Sequence, residues 1–105
     1  MVITDIKIRK LFEDGPMKAI VSVIGKDRTG IIAKVTGKLF ELGCNVEDIS
    51  QTVMHGSYFT MIMLITLADG LAVGAVNEAL SSVAEELGVE IRVQHEDIFN
   101  SMHRI

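Results

Sequence analysis

Residues 2–11 alternate, with Ile6 and Ile8 on one side and Lys7 and Arg9 on the other, the period-two signature of a half-buried strand. Glu13-Asp14-Gly15-Pro16 is turn chemistry, and residues 18–24 form a second apolar strand, so the first 24 residues read as a β-hairpin. The period then changes. From Asp27 onward Ile32, Val35, Leu39 and Leu42 step by 3, 4 and 3, one apolar stripe along a helix. Asp27 is its expected N-cap and Gly43 the residue that ends it. Residues 46–53 return to period two as a strand with Val46, Asp48 and Ser50 on one face.

His55-Gly56-Ser57 turns the chain into residues 58–67, a nearly continuous apolar run expected of a central strand. Asp69-Gly70 opens a second helix, where Val73, Val76, Leu80, Val83 and Leu87 step by 3, 4, 3 and 4. Gly88 ends it, and residues 89–93 are another strand. In the tail, Ile98, Met102 and Ile105 are spaced by 4 and 3, as in a short docked C-terminal helix.

Two half-repeats stand out. Each is a strand, a helix ending in Leu-Gly (Leu42-Gly43, Leu87-Gly88) and a strand beginning with Val beside Glu (Val46-Glu47, Val89-Glu90). With the first hairpin arm set aside the order is βαββαβ, an α+β fold of the ferredoxin-like type with both helices on one face of an antiparallel sheet. Residues 17–105 make that domain, and residues 1–16 are an N-terminal strand-and-turn extension.

Composition narrows the function classes. The chain has 105 residues, enough for one domain, and is 49% hydrophobic with 5% aromatics and no Trp, so its core is aliphatic and part of the apolar excess is expected at a subunit interface. Ten basic against fourteen acidic side chains leave a net charge of −4, which argues against a nucleic-acid binder. The lone Cys44 allows no internal disulfide and fits a reducing cytoplasm. The N-terminus lacks the unbroken apolar core of a signal peptide, and the run from Met61 to Leu67 falls far short of the ~20 residues a membrane helix needs.

For chemistry, the polar loop from Gly25 to Gly30 is the best candidate. It places free backbone N–H groups beside a helix start, where an anion or an amino-acid carboxylate could be held with help from Arg28; the alternative is a tight connection whose glycines only permit unusual φ. Asn45 and Asp48 are candidates for a ligand's amino group or for plain turn chemistry and a solvated strand face. His95, Glu96, Asp97 and His103 would converge poorly as metal ligands, because consecutive residues in an extended segment point to alternate faces. Cys44 reads as packed and inert, His55 as exposed, and Met54, Met61, Met63 and Met102 as adaptable core or interface filling. The nucleotide-binding pattern G-x-x-x-x-G-K-[ST] is absent and no Ser/His/Asp or Cys/His set suggests itself, so neither enzyme, cofactor nor metal is expected.

The stretches M-K-A-I-V-S-V-I-G-K-D-R-T-G-I-I-A-K-V, N-V-E-D-I-S-Q-T, Y-F-T-M-I-M-L and R-V-Q-H-E-D-I-F-N-S-M-H-R-I resemble the ACT domain family, in particular its small stand-alone members of bacteria and archaea. The resemblance runs from Met17 to Ile105. It implies a regulatory module that binds an amino acid or similar small ligand at a homodimer interface. The implied ligand positions are Gly25, Lys26, Asp27, Arg28, Thr29, Gly30 and Ile31 in the first loop, then Asn45, Val46 and Asp48 at the start of the second strand. It does not carry over a particular ligand.

Residues 1–23 resemble the opening hairpin of the stage V sporulation protein G family, which makes a recombined chain joined at M-K-A-I-V-S-V a further reading. An arm from residues 2–11 would claim the slot of residues 89–93 beside the central strand, and either stay loose or displace that strand into another subunit. Three functions stay open: a ligand-binding regulatory dimer, an assembly module without ligand, and a recombined chain with strand exchange.

Overall fold

A computed structural model describes residues 17–97, folded as β1 (Lys18–Lys26), α1 (Ile31–Glu41), β2 (Asn45–Met54), β3 (Tyr58–Thr66), α2 (Val73–Leu87) and β4 (Val89–His95). The four strands form one antiparallel sheet in the order β2-β3-β1-β4. This is the βαββαβ, ferredoxin-like arrangement expected from the half-repeats. The expected N-terminal strand (residues 2–11, within the 1–16 extension) and the C-terminal helix built on Ile98, Met102 and Ile105 lie outside the described residues.

One face of the sheet carries the core. Ala19, Val21 and Val23 of β1 and Met61, Met63 and Ile65 of β3 are fully buried against Ile31, Val35 and Leu39 of α1 and Val76, Leu80, Val83 and Leu87 of α2. The stripe foreseen for α2 is therefore the one that packs. In α1 it is shifted by one position at its start, with Ile31 at 2% exposure and Ile32 at 37%. The reason is where the helix begins. Its N-cap is Gly30, at φ 92°, three residues after Asp27.

The C-terminus of α1 follows the expected chemistry. Gly43 takes φ 79° and its N–H donates to the Phe40 carbonyl at 3.0 Å, while the Cys44 N–H donates to the Leu39 carbonyl at 2.9 Å. That pair of bonds satisfies two of the carbonyls every helix end leaves open. Helix α2 begins at Val73 after the N-cap Ala72, three residues later than Asp69-Gly70 suggested, and Gly88 ends it in the left-handed conformation.

Strand β4 holds its place beside β1 from Ala19↔His95 to Gly25↔Val89, so β1 has a partner on each side and the slot claimed for residues 2–11 is filled. Strand β2 departs from simple alternation. A bulge at Glu47 sets Val46 opposite Ile65 but Asp48 opposite Leu64, which moves Asp48 and Ser50 to the other face from Val46. The three do not share a face. Met54, expected as filling, is 48% exposed at the end of this strand, whereas Met61 and Met63 are buried; Met102 lies outside the described residues.

Candidate functional site

The loop from Gly25 to Ile31 joins the end of β1 to the start of α1. Its two glycines have different causes. A Cβ on Gly25 would stand 2.6 Å from Cγ1 of Val89 on β4, so close strand packing demands its absence. Gly30 has open space around it and needs glycine for its positive φ. Between them the Asp27 N–H donates to the Ser57 carbonyl at 2.7 Å, tying the loop to the β2–β3 turn.

Arg28 reaches across to α2. Its Nη1 donates to the carbonyls of Glu86 and Leu87, both at 3.4 Å, placing a cation at the negative end of that helix. Nearby, Lys34 pairs with the Glu86 carboxylate, and this hydrogen bond and charge hold the Glu86 carboxyl below its ordinary value. Arg28 thus cross-links the first loop to the second helix, a tie not expected from the sequence. Lys26 and Thr29 are exposed on the same loop.

The start of α1 remains the anion-friendly element. No side chain caps it and its first turn holds no acidic residue. The first intrahelical bond runs from the Lys34 N–H to the Gly30 carbonyl at 2.9 Å, so the N–H groups of Ile31, Ile32 and Ala33 precede the ladder at the positive end of the helix.

Asn45, Val46 and Asp48 are not beside this loop. Lys26 pairs with Tyr58, at one end of β3, and Asn45 pairs with Thr66 at the other, eight residues away. At the rise of a strand that separation is about 25 Å. Val46 packs against the core, whereas the bulge turns Asp48 to the helix-free face, where its Oδ1 accepts the Ile49 N–H at 2.9 Å. Asn45 donates to Glu47 at 3.0 Å, and Thr66 donates to the same carboxylate oxygen at 2.5 Å. The Thr66 and then the Asn45 hydrogen bond hold the Glu47 carboxyl below its ordinary range. One chain therefore brings Gly25 to Ile31 together and leaves the β2 residues at the far end.

The remaining candidates resolve simply. Cys44 is buried at 9% exposure, and that burial pushes its thiol up. His55 is exposed at φ 54° in the β2–β3 turn. His95 accepts the Asp97 N–H at 3.1 Å, and among the described residues no group of three or more His, Cys, Asp or Glu is placed to hold a metal; His103 lies outside them. A hollow of about 330 Å³ at Met17 and residues 67–72, and one of about 340 Å³ between the helices around Gly37, contain none of the predicted ligand residues. No helix among the described residues is long and apolar enough to cross a membrane.

A model of the ACT domain family matches residues 18–94, the whole span from β1 to β4. The chain belongs to the ACT domain family. A UPF0237 protein of Methanopyrus kandleri is 47% identical over 89 residues, covering 84% of this chain and 98% of its own length, so that relative is essentially one such domain. Among solved structures, an ACT domain protein from Streptococcus pneumoniae is 40% identical with a TM-score of 0.72, over 80% of this chain and 94% of that one. The regulatory subunit of aspartate kinase from Thermus thermophilus, in its ligand-free form, is 34% identical with a TM-score of 0.60, over 74% of this chain and 51% of that one.

Within the ACT domain a second group of residues went unnoticed in the sequence. Ile49 and Val53 of β2 stand opposite the buried Met63 and Phe59, hence on the helix side of the sheet, yet are 42% and 47% exposed. Ile32 and Phe40 of α1, the latter 82% exposed, occupy the helix flank away from Lys34 and α2. Ile49 and Val53 thus form an apolar ledge on the helix side of β2 that stays exposed among the described residues. The signal was available: Phe40 falls off the Val35–Leu39 stripe on a helix otherwise patterned cleanly.

Proposed function

We propose that this ACT domain is a non-catalytic regulatory module that binds an amino acid or similar small anionic metabolite at the interface of a homodimer. The observation that carries the reading is the ten-residue strand β2, whose outer side pairs with no other strand among the described residues, with the apolar ledge above it. A two-fold axis normal to the sheet would pair two β2 strands antiparallel, satisfy their outer backbone groups and close the two ledges on each other. The same operation carries the Asn45–Val46 end of the partner's strand to the loop end of this chain's sheet. The two halves of the expected site, about 25 Å apart in one chain, then approach each other in trans. The ligand's carboxylate would lie on the N–H groups at the start of α1, with Lys26 and Thr29 beside it. The relatives that are regulatory by name support the class of function.

A thermal-shift screen of the full chain against amino acids and small carboxylates tests this. A ligand at 100-fold its Kd adds about 2.7 kcal/mol of apparent stability. Thr29→Asp sets a fixed negative charge beside the helix start, so it is expected to abolish the shift with the fold intact. A flat response across the panel, or an undiminished shift in T29D, overturns ligand binding at this loop.

The assembly module without ligand is favoured by one specific observation. Arg28 and Asn45 already have partners within the chain. It predicts a stable dimer and a flat screen. The recombined-chain reading rests on residues 1–23, and displacement of β4 draws no support from a sheet in which β4 is paired along its length.

A further inference from the structure

We infer that residues 98–105 fold back as a short helix on the helix-free face of the sheet and cover Ile20, so that the occupant of this surface is the chain's own C-terminal segment. The inference does not rest on the ligand or dimer reading above. It starts from one side chain. Ile20 is buried at 9% exposure, yet among the buried hydrophobic residues described it is the one that does not join the core cluster. Its neighbours Ala19 and Val21 belong to that core, so Ile20 points to the other face, where the structure describes no helix. Ile24, four residues on and on the same face of the same central strand, is 55% exposed.

The shielding is confined to one end of the face. Beside Ile20 the register places Leu64 of β3 and Gln94 of β4, and both are half-buried. One row further along, Ile62 and Arg92 are exposed, as is β2 throughout on this face. Flanking strands alone do not account for the difference, because Ile24 also has a strand on each side, at Thr60 and Glu90. A cover over β4, β1 and β3 does account for it. It lies at the end of the sheet where His95 stands beside Ala19.

That is where the C-terminal segment begins. Glu96 and Asp97 already have helical backbone, and His95 Nδ1 accepts the Asp97 N–H at 3.1 Å, the bond a cap makes at a helix start. Two carboxylates in the first turn suit the positive end of a helix. Continued from there, Ile98, Phe99, Met102 and Ile105 fall along one side, with Asn100, Ser101, His103 and Arg104 along the other. From Ile98 to Ile105 is about 10 Å at the rise of a helix, and from β4 over β1 to β3 is also about 10 Å. Residues 1–16 enter at the same end, but Ile6 and Ile8 alternate with Lys7 and Arg9 as in a strand. A lone strand laid on a sheet face leaves its own backbone groups unpaired, whereas a helix pairs them internally.

Maleimide labelling of single cysteines tests this in the full chain, on a Cys44→Ala background. Ile20→Cys is expected to react at least about tenfold more slowly than Ile24→Cys, at a rate unchanged by dilution of the protein. Adding Met102→Asp is expected to bring Ile20→Cys to within about twofold of Ile24→Cys while urea unfolding stays cooperative. Ile105→Asp, at the chain end, gives a second route to the same release. Ile20→Cys that labels as fast as Ile24→Cys in the full chain overturns the inference, and so does protection that both tail variants leave intact. Protection lost on dilution assigns the cover to a second copy and overturns the fold-back. Deletion of residues 1–16 is expected to leave the protection in place; release of Ile20→Cys by that deletion names the N-terminal arm as the cover and likewise overturns it.

Discussion

The two edges of this sheet are unlike. Strand β4 sends Val89 and Val93 into the core, at 9% and 6% exposure, under the buried stripe of α2. Strand β2 is longer, ten residues against seven, yet every residue in it except Val46 is exposed. The difference follows from chain length and connection. Helix α2 has fifteen residues and lies against β4, while α1 has eleven and leaves β2 largely bare. An edge with unpaired backbone groups and an apolar flank is a template for another strand. The asymmetry therefore separates a border packed into the core of the single chain from one whose apolar side chains stay exposed.

The largest effect tests the first border. Leu80→Ala, beneath the sheet, is expected to cost about 2–5 kcal/mol in urea unfolding, whereas Val53→Ala on β2 changes unfolding of the dilute chain by no more than about 0.5 kcal/mol. Equal losses at the two positions would break the comparison. Gly25→Ala probes the contact between β1 and β4 directly. The new Cβ meets Val89 at 2.6 Å, with the Val89 Cα at 3.1 Å, so the strands must part. A loss of about 1–3 kcal/mol is expected, and a neutral result would mean that this border is as loose as the other.

The smallest effect belongs to the start of β2. Glu47 has its carboxyl held below the ordinary 4.5 by Thr66 and Asn45. A depressed carboxyl contributes stability that is present above its unfolded value and lost as pH falls through its folded one. The stability gap between the wild type and Glu47→Gln should therefore be steady near neutrality and shrink below about pH 4.5. A gap that widens in acid would show that the Thr66–Glu47–Asn45 cluster does not favour the ionised form. The exposure of Glu47 keeps the effect small.

How much of this was legible follows from the kind of signal. The stripe from Val73 to Leu87 and the stop at Gly43 are local patterns, read by counting, and both hold in the fold. The start of α1 was misplaced because Asp27 is a good cap by type, but the helix begins three residues later, with Gly30 at its N-cap. The bulge at Glu47 has no signature in N-V-E-D-I-S, since it arises from pairing with β3. For the candidate site, the Gly25–Ile31 loop was visible as a glycine-bounded polar stretch before a helix. That Asn45, Val46 and Asp48 lie at the other end of the sheet was not, because register is a property of strand pairs.

By itself, then, the sequence determined the element order, the apolar faces of the helices and the family, each carried by neighbouring residues within one segment. Only the tertiary structure decided which glycine tolerates no side chain, where Arg28 is held, and which of the two edge strands is packed under a helix. Those depend on what the far parts of the chain bring alongside. Packing and pairing across long separations choose among local options that are each permissible alone.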